Sequence, residues 1–203
     1  MPRLRKFCHF LHSAFGKLYT FLQITVLFIF GLTLSEANEG FKRVGKGKTL
    51  TLVEYFDFSC PLSAQSSKSL ASFKDKMGSR VQIVRKSLAF SEGGLSWIAG
   101  KYYHALLKQN KKLAEPFYKK VFEQTLKGEI NEAFLKNVIT NLGIDFAKFQ
   151  SGLKSPFLEK QLQQNEVLAN KSGIFVSPGY TLDGQVLLGK QESTDFGKLF
   201  SQR

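Results

Sequence analysis

The sequence predicts an α/β fold built from a βαβ unit, an inserted block of helices, and a β-hairpin with a closing helix. Three observations predict it: two apolar runs flanking an amphipathic segment, a long helical stretch punctuated by glycines, and an Asp-Gly turn between two short apolar runs near the C-terminus. In chain order, a short edge strand is expected around Phe41 to Val44. The run Thr49 to Asp57, rich in β-branched and aromatic residues, reads as a buried strand. Ser63 to Met77 places Leu70, Phe73 and Met77 on one helical face before Gly78 ends it, and Val81 to Leu88 forms the next strand. A strand, a helix and a strand so spaced form a parallel pair with a right-handed crossover. From about residue 94 to 171 the pattern is helical, with Gly100, Gly128, Gly143 and Gly152 as punctuation and Pro116 and Pro156 suited to first turns. Tyr180 to Leu182, Asp183-Gly184 and Gln185 to Leu188 make a hairpin, and Glu192 to Phe200 the last helix.

The first 37 residues are organised differently. Arg3, Arg5, Lys6 and Lys17 precede an apolar run from Phe21 to Leu32 and a small-x-small site at Ser35-Glu36-Ala37, the pattern of a secretory signal. An uncleaved membrane anchor is the alternative, although the run is short of the roughly 20 residues that span a bilayer. Either reading leaves residues 38–203 as one domain outside the cytoplasm, and makes the expected location periplasmic. The chain has a net charge of +13, and loss of this segment, with four basic residues and one acidic one, leaves +10. A hydrophobic content of 43% and a charged content of 22% exclude a disordered chain. Of the two cysteines, Cys8 leaves with the signal and Cys60 remains alone, so neither a disulfide framework nor structural zinc fits.

An unpaired cysteine in an oxidising compartment calls for explanation. Cys60 sits between the first long strand and its helix, where unpaired N–H groups and the positive end of the helix dipole stabilise a thiolate. Pro61 suits the first helical position, because its missing N–H has no partner to lose there. An inert core cysteine is the alternative.

The stretch Val53-Glu54-Tyr55-Phe56-Asp57-Phe58-Ser59-Cys60-Pro61-Leu62-Ser63 resembles the active-site strand and loop of DsbA-type thiol-disulfide oxidoreductases, whose usual motif is Cys-Pro-x-Cys. The segment from Ser172 to Gly184 is similar to that family's cis-proline segment, which faces the active cysteine. The resemblance runs from about residue 40 to the end and implies a thioredoxin-like fold with an inserted helical subdomain. It implies Cys60 as nucleophile, Pro178 as the cis-proline, and the backbone of Ser177 pairing with an extended substrate peptide beside Leu62, a strand addition. An ordinary turn proline is the alternative at Pro178. Glu54 matches the family's buried acid below the cysteine, where desolvation would raise its pKa and let it relay a proton; a solvated strand position is the alternative.

Ser63 departs from the family, standing where the resolving cysteine would be. Serine cannot attack a mixed disulfide, but it can donate a hydrogen bond to the Cys60 thiolate. The expectation is therefore a monothiol exchange protein acting on exported proteins that contain cysteines. It needs no bound cofactor, takes an external thiol such as glutathione for release, and has a membrane redox partner as a further expectation. Two other readings stand beside it. One is a thioredoxin-like peptide-binding module without turnover. The other rests on a resemblance of Phe56 to Ser63 to the Ser-Pro-x-Ser segment of kappa-class glutathione transferases and 2-hydroxychromene-2-carboxylate isomerases. His104, the only histidine after residue 37, and Trp97 read as packing residues, and the seven lysines from Lys101 to Lys127 as a solvated face with no nucleic-acid motif.

Overall fold

A computed structural model describes residues 49–89 and 93–202. The proposed signal segment, Cys8 and the edge strand at 41–44 lie outside the described residues. Strand β1 (Leu50–Phe56) buries Leu52, Glu54 and Phe56 on one face and Tyr55 on the other, in keeping with the buried strand expected here. Helix α1 (Pro61–Met77) follows, with Cys60 as N-cap and Pro61 at its first position. Its buried side is Ser63, Ala64, Ser66, Leu70, Phe73 and Met77, so small residues line the N-terminal half and large ones the C-terminal half. Strand β2 (Val81–Ser87) pairs parallel with β1, Glu54 standing beside Arg85 and Phe56 beside Ser87.

Five helices then lie between Leu95 and Lys171: α2 (Leu95–Gln109), α3 (Lys111–Thr125), α4 (Glu132–Asn141), α5 (Phe146–Gly152) and α6 (Pro156–Lys171). Asn110, Asn131 and Asp145 cap three of them through side-chain oxygens that accept backbone N–H groups. Two expectations fail here. Gly100 does not punctuate; it lies inside α2, where a Cβ would stand 3.0 Å from both Leu162 Cδ2 and Ser87 Oγ, so it is glycine because helix and strand approach closely. Pro116 is not in a first turn but inside α3, past the last free N–H position, and the Lys112 carbonyl receives no helical bond from it. Pro156 does open α6.

Strand β3 (Gly179–Leu182) returns antiparallel to β1, and β4 (Gln185–Leu188) pairs with β3 through a turn in which Asp183 and Gly184 both have positive φ. The strand order is β2-β1-β3-β4. Helix α7 (Ser193–Ser201) closes the chain behind a capping box of Glu192 and Asp195. Phe73 of α1 meets Phe196 and Phe200 of α7 on the sheet face shared with Tyr180. The largest core cluster packs Phe56 edge-on against Phe58, Tyr103, Tyr118 and Phe122, and Phe58 edge-on against Tyr103 and Tyr118. Trp97 packs in the core against Ala89 and Leu162. Among the described residues, no helix is long and apolar enough to cross a membrane.

Candidate active site

The loop before α1 is held from three sides. The Asp57 carboxylate accepts the Ser59 N–H at 2.7 Å and the Ser96 hydroxyl, Thr125 Oγ1 donates to the Phe58 carbonyl at 2.7 Å, and Cys60 N–H donates to the Asp57 carbonyl at 3.1 Å. Burial raises the Asp57 pKa, and the bonds from Ser96 and Ser59 oppose that rise. Cys60 is left at the helix N-terminus, partly exposed, where Pro61 supplies no N–H and those of Leu62 and Ser63 begin the turn.

The second half of the site arrives from 117 residues away. The Cys60 thiol donates to the Ser177 carbonyl at 3.3 Å. The Ser177–Pro178 peptide bond is cis. Ser63, fully buried, has its Oγ 2.8 Å from Ser177 Oγ and accepts the Asp57 N–H at 3.4 Å. The fold therefore brings Cys60, Pro61, Ser63, Ser177 and Pro178 into one place. Ser63 has its hydrogen bonds with Ser177 and Asp57, rather than with the Cys60 sulfur to which its hydroxyl could have donated; one turn into the helix, it faces the returning chain. Leu62 is 46% exposed, and Phe175 and Val176, which precede Ser177, are 69% and 46% exposed, so apolar side chains flank the cysteine on both segments.

Glu54 belongs to a separate buried group. It is fully buried on β1, its Oε2 receiving Arg85 Nε at 2.9 Å and its Oε1 the Tyr118 hydroxyl at 2.8 Å. Arg85 also pairs with Glu115, and its guanidinium lies 4.1 Å from the Tyr118 ring centroid. Burial raises the Glu54 pKa; the Arg85 cation and the Tyr118 hydroxyl pull the other way without cancelling the rise. For Arg85, burial works against the cation, but Glu54, Tyr118 and Glu115 outweigh it. Tyr180 stands opposite Glu54 in the β1–β3 register, two residues after Pro178. The hydrogen bonds of Glu54 run to Arg85 and Tyr118 and not to the cysteine.

Sequence reasoning missed Arg85, Tyr118, Glu115 and Asp57. Arg85 had a signal, a lone cation at an inward-facing position of an apolar strand pattern. Its partner emerges only from the strand register.

A thioredoxin family model matches residues 40–201, and the chain belongs to that family. The fold is thioredoxin-like with a helical insertion, as in DsbA-type proteins. It is similar to the thiol-disulfide exchange protein alpha-DsbA2 of Wolbachia pipientis, at a TM-score of 0.69 and 16% identity over 78% of this chain and 83% of that one. A thioredoxin-like oxidoreductase of Silicibacter pomeroyi gives a TM-score of 0.68 and 21% identity over 82% and 93%. The catalytic domain of Proteus mirabilis ScsC gives 0.64 and 20% over 77% and 85%. Identities this low establish the fold. Among curated proteins, the Na(+)/H(+) antiporter NhaA of Herminiimonas arsenicoxydans is 26% identical over 144 residues, 71% of this chain and 22% of the antiporter, so the chain spans about a fifth of that relative's length.

Proposed function

We propose that this protein is a thiol-disulfide oxidoreductase that works through one thiol, Cys60, on cysteine-containing exported proteins. The observation that carries the reading is the meeting of Cys60, at a helix N-terminus, with the carbonyl that precedes a cis-proline. The Cys60 thiolate attacks one sulfur of a substrate disulfide, forming a mixed disulfide and releasing the other substrate sulfur as a thiolate. With serine at position 63, an external thiol such as glutathione then attacks the mixed disulfide. When it attacks the substrate sulfur, Cys60 leaves as a thiolate and the external thiol becomes joined to the substrate. The exposed Leu62, Phe175 and Val176 suit an extended peptide lying along the Ser177 backbone. Export is supported by the basic and apolar pattern of residues 1–37 and by the likeness in fold to a periplasmic thioredoxin-like protein of Salmonella enterica, at a TM-score of 0.64. A membrane redox partner belongs to the same reading.

The test is incubation of the folded protein with a disulfide-bonded peptide, followed by mass spectrometry. The wild type should accumulate a peptide adduct on Cys60 that glutathione clears, and the Ser63→Cys variant should clear it unaided. A Cys60 that takes up neither peptide nor iodoacetamide at neutral pH would overturn the proposal in favour of a binding module.

A further inference from the structure

On the outer side of β2, away from the thiol site, Arg85, Lys86, Lys108, His104, Phe157 and Asn165 line a pocket of about 440 Å³. Among the described residues no carboxylate lines it. Arg85 is spoken for by Glu54 and Glu115. Lys86 and Lys108 have no ion-pair partner among the described residues, so the pocket holds two cations that nothing there neutralises. Lys86 is partly buried, and burial lowers its pKa, which marks a wall where a charge is poorly solvated.

The floor is polar and built. Asn165 is fully buried; its Nδ2 donates to the Ser87 carbonyl at 3.0 Å and lies 3.1 Å from His104 Nε2, which also receives the Ser87 hydroxyl at 3.1 Å. Gln161 Nε2 donates to Asn165 Oδ1 at 3.2 Å. With two donors on Nε2, the imidazole is neutral and carries its proton on Nδ1, in keeping with a pKa that burial and then Lys86 push down to about 4. One wall is the Phe157 ring, in a residue 49% exposed, with Lys108 Nζ 4.6 Å from the ring centroid. The arrangement combines two cations without a carboxylate partner, a neutral polar floor and a half-exposed aromatic ring, one face of which Lys108 covers.

We propose that this pocket binds a small organic anion with a planar apolar group, its phosphate or carboxylate end between Lys86 and Lys108 and its flat part against the side of the Phe157 ring that Lys108 leaves exposed. The proposal is independent of thiol chemistry.

Phenyl phosphate is the probe, titrated calorimetrically into the full chain, with inorganic phosphate as the comparison for charge alone. One-site binding is expected, weakened about tenfold or more in K86Q/K108Q. The K68Q/K76Q variant, which loses the same charge elsewhere, should bind as the wild type does. In F157A, phenyl phosphate should weaken while inorganic phosphate is unchanged. Cys60→Ala should bind normally, so failure of the thiol reading would leave this result standing. Absence of saturable binding, or equal weakening in K68Q/K76Q and K86Q/K108Q, would overturn the proposal.

Discussion

Two polar clusters are packed against β2, one around Arg85 and one around Ser87, and they dispose of charge in opposite ways. Around Arg85 the acidic and basic groups are partnered: Glu54 meets a guanidinium and a phenol, and a second carboxylate, Glu115, stands at the rim. Around Ser87 the charge is given up: His104 lies among Ser87 and Asn165 as a neutral ring. The difference follows from what each neighbourhood offers. A buried carboxylate with an arginine in register has a cation and a phenol that oppose its desolvation, whereas an imidazole that meets donors on Nε2 and a nearby lysine is held neutral. The first cluster is therefore vulnerable to loss of a partner, and the second to gain of a proton.

The largest effect should come from breaking the paired cluster. Arg85→Ala leaves Glu54 buried without its cation and should destabilise the fold by about 3–5 kcal/mol in urea denaturation. Replacing both partners with apolar residues, E54L with R85M, should be distinctly milder. A double variant as unstable as the single one would show that Arg85 matters for packing alone.

Acid should reach the neutral cluster next. The His104 pKa is lowered in the folded chain, to about 4, so its contribution is present above the unfolded value near 6.5 and is lost as pH falls from there toward 4. The loss is on the order of 3 kcal/mol. Glu54 and Asp57 have raised values and carry the opposite sign: their contribution is present in acid and lost as pH rises. Both proteins share them in a comparison of wild type with His104→Gln, so they cancel. The difference in stability between the two should shrink across pH 6.5 to 4, and a constant difference would assign His104 a packing role only.

The smallest effect tests how closely the neutral cluster is packed. Gly100→Ala sets a methyl 3.0 Å from Ser87 Oγ and Leu162 Cδ2 and should lower stability by about 1–2 kcal/mol. Gly128→Ala, with open space around it, should stay within about 0.5 kcal/mol of the wild type.

Much of the thiol site is legible along the chain because its determinants are local. A cysteine between a strand and a proline at the first helical position is a helix N-cap whatever lies around it, and Asp183-Gly184 makes a turn of its own accord. Gly100 and Pro116 mislead for the same reason. Read locally they break helices, yet Gly100 is set by the approach of Ser87 and Leu162, and Pro116 sits in a helix that the core maintains through Phe117, Tyr118, Val121 and Phe122.

The sequence by itself determined the order of the described elements, the placing of Cys60 at a helix N-terminus and the serine three residues after it, since each depends on periodicity or on neighbours a few residues away. Only the tertiary structure decided that Ser63 turns to Ser177, that Glu54 pairs with Arg85, and that His104 is neutral. Those contacts join residues 17 to 114 positions apart, and their partners are chosen by strand register and helix docking, which no local pattern encodes.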